Sequence, residues 1–238
     1  MSDAVVVDVG GTTTDLGVIQ NGFPRESSVA VTIGGVRTNF RMPDVISIGL
    51  GGGSIVRVTP DGEVTVGPDS VGYDITNKAL VFGGDVITAT DVAVRLGMVE
   101  LGDARLANSI PLEVAKKAMS EIRNLIEDSV DAMKVSNVDV ELVLVGGGSI
   151  ILPDKIAGAS KVIKPKHFGC ANAIGSAISK VSGTFEKLMN YEELPREESL
   201  GKAKSEAIEL AVEAGAVRDT VEIIEVEDVP LSYYPGNT

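Results

Sequence analysis

The chain has 238 residues, 44% of them hydrophobic and only 4% aromatic, so one large domain or two small ones must be built on a core of Val, Ile, Leu and Ala. A net charge of −13 argues against a nucleic-acid or anionic-membrane surface, which needs clustered Lys and Arg. A single cysteine excludes an internal disulfide and a cysteine-cluster metal site; with no signal-peptide layout and no apolar run near ~20 residues, a reducing cytoplasm is the expected setting, with no membrane partner.

In chain order, residues 3–66 read as strands. The runs are Ala4–Val9, Leu16–Gln20, Ser28–Ile33, Val36–Met42, Val45–Leu50, Ser54–Thr59 and Glu63–Val66. Asn21-Gly22, Gly34-Gly35 and Asp61-Gly62 supply the turn chemistry between them. Residues 67–87 are glycine-rich and irregular. Thr88 or Thr90 caps a short helix through Leu96. Pro111 opens the longest helix, with Leu112, Ala115, Met119, Ile122, Ile126, Val130 and Met133 on one stripe. Val138–Val145 follows as a buried strand. A helical turn is expected over Ile151–Ala157, a strand at Lys161–Ile163, helices at Ala171–Val181 and Ser199–Ala214, and a last strand at Val217–Val226. Antiparallel strands followed by helix–strand alternation predict an α/β fold, a mixed sheet with helices packed on it. The charged stretch Tyr191–Ser199 suggests a division into a main lobe at 1–190, with a strand-rich insertion at about 28–87, and a small helix–strand extension at 191–238.

Two glycine runs carry chemistry. Asp8-Val9-Gly10-Gly11-Thr12-Thr13-Thr14-Asp15 joins two strands through a tight turn. Asp8 ends one strand and Asp15 begins the return, so both can face one Mg²⁺, which binds oxygen ligands and sheds its water reluctantly. Glycines let backbone N–H groups approach phosphate oxygens, and the threonine hydroxyls add donors. The competing reading is a plain hairpin whose polar side chains satisfy turn amides. The second run, Gly146-Gly147-Gly148-Ser149, empties from the Val138–Val145 strand. It offers a flat surface for an adenine or ribose outside a strand's carboxyl end, or a glycine turn made for close packing.

At this separation the two loops resemble the second phosphate loop and the adenosine loop of the actin/hexokinase/Hsp70 superfamily of ATP-binding proteins. More narrowly, the chain resembles the hydantoinase/oxoprolinase family (hydantoinase A-type domain). The supporting segments are Ile46–Ile55, Gly67-Pro68-Asp69-Ser70-Val71-Gly72, Gly83-Gly84 with Thr88-Ala89-Thr90-Asp91, and Asn172-Ala173-Ile174-Gly175-Ser176-Ala177. The resemblance covers residues 3–181 with distinct motifs. It implies a ribonuclease-H-like, actin-like ATPase lobe using ATP and Mg²⁺. By resemblance, Asp8 and Asp15 are catalytic and hold the metal. Gly10, Gly11, Thr12, Thr13 and Thr14 cradle phosphates, and Gly146, Gly147, Gly148 and Ser149 receive the adenosine.

The complete enzyme would couple ATP hydrolysis to opening a cyclic amide of the hydantoin or 5-oxoproline type. Superfamily members close two such lobes on ATP, and this chain shows one loop of that kind. A missing N-terminal lobe or partner subunit is therefore expected to complete the site, the isolated chain is expected to be inactive, and a second copy is a further candidate partner. A small-molecule kinase and a nucleotide-regulated assembly protein are the alternatives. The family's Pro-Gly-Pro-Ala-Cys-Tyr stretch is replaced here by Tyr73-Asp74-Ile75-Thr76-Asn77-Lys78-Ala79, which leaves the substrate open.

Other residues have two readings. Gly51-Gly52-Gly53-Ser54 is either a third phosphate- or substrate-facing loop or a hinge. Asp91 is either a helix cap or a metal ligand. His167 and Cys170 are too few for a zinc site. His167 is expected at or near the surface, and Cys170 is expected as a small core residue.

Overall fold

The computed structural model describes residues 4–27, 31–33, 36–38 and 42–230. The expected Gly34-Gly35 turn lies outside them. The chain divides into two compact units, Met1–Ile174 and Gly175–Thr238.

The first unit begins with β1 (Ala4–Val9), β2 (Thr14–Gln20) and β3 (Phe23–Pro24). Asn21 and Gly22, both with positive φ, make the tight turn between β2 and β3. β4 (Val31–Ile33) and β5 (Val36–Thr38) form a separate pair. Then come β6 (Val45–Ile48), β7 (Ser54–Val58) and β8 (Val64–Ser70). Short α1 (Ile75–Lys78), α2 (Ala89–Arg95) and α3 (Ala104–Ala107) precede the long α4 (Leu112–Met133). β9 (Val140–Val145), β10 (Ala159–Ile163) and α5 (Ala171–Ile178) follow.

The main sheet runs β10–β9–β1–β2–β3, with β6 also paired to β2. β1 is antiparallel to β2 and parallel to β9, and β9 is parallel to β10. This is the expected mixed sheet. Alternation along β1 and β2 puts Val5, Val7, Val9, Leu16 and Val18 on one buried face. Across that face lie Ala115, Ala118, Met119, Ile122, Ile126, Val130 and Met133 of α4, in the same core cluster as Leu142 and Leu144. The other face carries Val6, Asp8, Asp15 and Gly17, all half-buried.

The α4 stripe is as the sequence predicts except at its start. Leu112 is 42% exposed because it occupies the first turn, before the helix meets the sheet. Three other expectations change. The helical turn after β9 is a 3-10 turn at Gly147–Ile151 rather than 151–157. Leu152, which precedes Pro153, is extended at ψ 138, and a residue before proline is pushed out of the helical region. Val217–Val226 forms no strand. It holds a 3-10 turn at Arg218–Thr220, and Ile224 is 70% exposed; β-branched residues make a strand only where a neighbour pairs with it. Cys170 is exposed, in a 3-10 turn whose residues are not buried.

The second unit is organised around α6 (Arg196–Glu213), which begins behind Pro195 inside the expected connector. Glu197 and Glu198 sit favourably in its first turn. Gly183 packs so closely on Ala207 and Ala211 of α6 that a Cβ there would overlap the helix backbone. Arg218 pairs with Glu209, and Arg196 with Asp228.

Two outcomes test this description. Ile122→Ala removes a fully buried side chain, and we expect it to cost about 2–5 kcal/mol in urea unfolding. Leu112→Ala on the same stripe should stay within about 0.5 kcal/mol. The second concerns α3. Asp103 caps it and accepts hydrogen bonds from the Arg105 guanidinium and N–H, which hold its carboxyl down at about 2. A lowered carboxyl stabilises the folded state above the unfolded value and loses that contribution as pH falls towards about 2. Carboxyl NMR should show Arg105→Ala returning Asp103 towards about 3.9, with stability at neutral pH nearly unchanged because the pair is solvent-exposed.

Candidate functional site

Asp8 and Asp15 are direct partners in the β1–β2 register, so their side chains share one face. Val145, the last residue of β9, is the partner of Asp8 on the other side. The Gly10–Thr13 bend and the Gly146–Gly148 bend therefore leave the sheet at the same end.

The Gly10–Thr13 bend closes on itself, with the Gly10 N–H donating to the Thr13 carbonyl at 2.8 Å. Gly11, Thr12 and Thr13 are exposed. Their three N–H groups have no protein acceptor among the described residues. Thr14 is different. It is fully buried, and its hydroxyl donates to the Leu50 carbonyl at 2.7 Å, away from the rim formed by Thr12 and Thr13.

Gly51-Gly52-Gly53 lies directly against this bend. The Gly52 N–H donates to the Gly10 carbonyl at 3.0 Å and the Gly53 N–H to the Gly11 carbonyl at 2.7 Å. A Cβ on Gly51 would sit 2.6 Å from both Gly11 C and Thr12 N, so only glycine allows this approach. The third glycine run is thus a support for the phosphate-type bend. It is held in turn by Thr90, whose N–H and hydroxyl both donate to the Gly52 carbonyl. Asp91 serves the same structure. Fully buried, it completes a capping box with Thr88 and accepts from the Val81 N–H at 2.8 Å, which is the helix-cap reading rather than the metal one.

The triple-glycine bend packs against the same Gly10 carbonyl. A Cβ on Gly148 would overlap the Gly10 carbonyl and lie 2.9 Å from the Val9 carbonyl. Gly146 has φ +82, and a Cβ there would strike the Asp8 carboxylate. Gly148 and Ser149 are buried, and the Ser149 hydroxyl has no hydrogen-bond partner among the described residues. Gly147 is exposed with open space around it. So the structure brings all the expected site residues to one end of the sheet, with Gly11, Thr12, Thr13 and Gly147 at its surface and Thr14, Gly148 and Ser149 beneath.

Each carboxylate has one neutral donor. Asn172 Nδ2 donates to Asp8 Oδ2 at 3.0 Å, and the Ser47 hydroxyl donates to Asp15 Oδ1. Neither carboxylate is in an ion pair among the described residues. Like charges directly opposite repel, and a divalent cation with oxygen ligands would offset that repulsion. The residues present therefore fit a magnesium ion in donor type and charge, and the free N–H groups beside it fit phosphate. Asn172 and Ser47 were not among the residues the sequence singled out as site groups. Only the chain's path brings them to the carboxylates.

The Gly67–Gly72 segment, one of those that carry the resemblance, adjoins the same bend, and the segment that departs from the family pattern begins directly after it. The Ser70 hydroxyl reaches the Gly11 carbonyl at 3.4 Å, and the Val71 N–H bonds the Gly53 carbonyl. Tyr73, two residues on, is 99% exposed.

Among known proteins, the hydantoinase/oxoprolinase family model matches residues 1–132. The acetophenone carboxylase gamma subunit of Aromatoleum aromaticum is 34% identical over 122 residues, 50% of this chain and 16% of that protein. The caprolactamase subunit alpha of Pseudomonas jessenii is 28% identical over 185 residues, 74% of this chain and 25% of that protein. The chain thus spans a quarter or less of the length of these relatives. Among solved structures, the ATP-dependent caprolactamase from Pseudomonas jessenii superposes with a TM-score of 0.69 at 19% identity, covering 90% of this chain and 36% of that one. A nucleotide-free acetone carboxylase does so at 0.66 and 18%, covering 92% and 36%. These matches show that the chain shares the fold of the matched parts of those two proteins, a mixed sheet with helices packed on it.

The packing of the bends has a measurable consequence. Gly148→Ala places a methyl group against two backbone carbonyls that cannot rotate away, and we expect a loss of about 1–3 kcal/mol by thermal or urea unfolding. Gly147→Ala meets nothing and should remain within about 0.5 kcal/mol.

Proposed function

The chain belongs to the hydantoinase/oxoprolinase family, and we propose that it is the nucleotide- and magnesium-binding lobe of an ATP-dependent enzyme that opens a cyclic amide. One observation carries the reading. Two other glycine bends pack against the Gly10–Thr13 bend, and its three N–H groups at Gly11, Thr12 and Thr13, which have no acceptor among the described residues, adjoin a facing pair of carboxylates. Asp8 and Asp15 would hold Mg²⁺, directly or through water. Gly11, Thr12 and Thr13 would bind phosphate oxygens with Gly10 shaping the turn, and Thr14 would support the bend from beneath. Gly147 would present the flat surface to the adenosine, with Gly146, Gly148 and Ser149 seating it.

ATP would supply the phosphoryl group that, placed on the amide oxygen with release of ADP, makes the poorly electrophilic amide carbon open to attack by water. This chain's own residues would bind, neutralise and orient the triphosphate. The remaining donors, the general base and most of the substrate pocket would come from a second lobe or a partner subunit. The relatives' names support that arrangement, because both matched proteins are subunits and this chain accounts for 16% and 25% of their lengths. A cytoplasmic setting accords with this reading; no helix among the described residues is long and apolar enough to cross a membrane.

A second reading has specific support, since the relative with 34% identity is a carboxylase subunit. Carboxylation and lactam opening both require an oxygen to be activated at the expense of ATP, so the lobe described here would serve either.

The test uses the complete enzyme, with its second lobe or partner subunit, ATP and Mg²⁺. We expect phosphate release that depends on a hydantoin, lactam or 5-oxoproline. Release that requires a ketone and bicarbonate would instead establish the carboxylase reading. A stable phosphorylated small molecule would establish a kinase, and release indifferent to every small molecule an assembly protein. Asp8→Ala should abolish turnover with the circular-dichroism spectrum intact, and unchanged turnover would remove Asp8 from the site. The isolated chain should bind ATP weakly or not at all; micromolar affinity by calorimetry would count against a site shared between two lobes.

A further inference from the structure

Asp8 is constrained on both of its carboxylate oxygens. Oδ1 lies against Gly146, where any Cβ would overlap it. Oδ2 accepts from Asn172 Nδ2 at 3.0 Å, across 164 residues of sequence. Asn172 stands near the start of α5, directly after the 3-10 turn at Phe168–Cys170. That turn is tied to the same site, because the Phe168 carbonyl accepts from the Gly146 N–H at 2.8 Å. Residues 168–172 therefore touch both the triple-glycine bend and the carboxylate that ends β1.

Asn172 itself is exposed. A hydrogen bond in such a position contributes little to folding. Its geometric effect is larger. A carboxylate at the end of a strand rotates about two bonds, and a donor on one oxygen selects a single orientation. Partners that orient a metal ligand commonly matter to affinity far more than to stability. A primary amide suits this place. It donates to the carboxylate without adding charge, and its own carbonyl oxygen remains available to water in the hydration shell that Mg²⁺ keeps.

We propose that Asn172 is a positioning residue for the cation site: its amide nitrogen sets the orientation of the Asp8 carboxylate, and the 168–172 segment ties that orientation to the seat of the triple-glycine bend. This rests on the reading of Asp8 and Asp15 as cation ligands. It assigns to α5 a part in the site that neither glycine loop supplies.

Mn²⁺, a paramagnetic substitute for Mg²⁺, tests both levels in the chain as it stands. In the wild-type chain we expect Mn²⁺ to broaden the backbone amide signals of Gly11, Thr12 and Thr13 and the side-chain amide of Asn172. Asn172→Ala should weaken Mn²⁺ binding about tenfold, read by electron paramagnetic resonance of the free ion, while the melting temperature and helix signal stay unchanged. Asn172→Gln, which keeps the donor, should recover part of the loss. Ser176→Ala, on the same helix, should behave as wild type. Broadening of Gly11–Thr13 with undiminished affinity in Asn172→Ala would overturn the role of Asn172 and leave the cation site standing. A loss of affinity that Asn172→Gln does not relieve and that accompanies loss of helix signal would reduce Asn172 to a structural part. No broadening at Gly11–Thr13 in the wild type would overturn the cation site and this proposal together.

Discussion

Everything at the functional end of the sheet depends on how closely backbone can approach backbone. The Gly10 carbonyl receives the Gly52 N–H and has Gly148 pressed against it as well. A single methyl group at Gly51 or Gly148 would push these bends apart. Because no Cβ intervenes at Gly51 and Gly148, main-chain hydrogen bonds hold the bend between Asp8 and Asp15, with the Thr14 and Ser70 hydroxyls adding to them. The N–H groups of Gly11, Thr12 and Thr13 have no acceptor among the described residues. A bend so fixed does not need to reorganise when an anion arrives, which is the physical meaning of preorganisation.

The supporting structure is layered behind that bend. Thr90 holds Gly52, Asp91 holds the turn around Thr88 and Val81, and Thr14 holds Leu50. All three side chains are buried and fully engaged, so each polar group removed from water is compensated. Behind them the valines of β1 and the apolar stripe of α4 form the core. The Ser149 hydroxyl, buried with no partner among the described residues, is the exception there. The carboxylates stand apart from this network, with one neutral donor each and no cationic neighbour among the described residues. Structural carboxylates are usually paired or fully hydrogen-bonded, as Asp91 is. A facing pair left short of compensation is suited to a cation.

The relatives show why fold and chemistry must be argued separately. One is named for lactam opening and one for ketone carboxylation, and this chain matches a quarter or less of either. The stretch that the family model matches, residues 1–132, contains the Gly10–Thr13 bend and its supports at Gly51–Gly53 and Thr90. Tyr73 opens the segment that departs from the pattern the resemblance implies, and it is 99% exposed.

Much of this was legible in the sequence because it is encoded by neighbours. The Asp8–Asp15 string fixes a hairpin by its own turn chemistry. The Ala115–Met133 stripe declares the buried face of α4, and Thr88 with Asp91 spells a capping box. The turn after β9 was misplaced for a local reason, Pro153 acting on Leu152; elsewhere the sequence misled where a non-local condition decided. Val217–Val226 has strand-forming residues and no strand beside it, Leu112 continues a stripe that its partner surface does not reach, and Cys170 has the chemistry of a core residue in a turn that nothing covers. By itself, then, the sequence determined the local elements and the two chemically competent bends. Only the tertiary structure decided that Gly51–Gly53 supports the first bend, that Gly148 and Ser149 lie beneath the surface, and that Asn172 meets Asp8, because those distances follow from sheet register and chain crossings between residues far apart, and no local pattern carries that information.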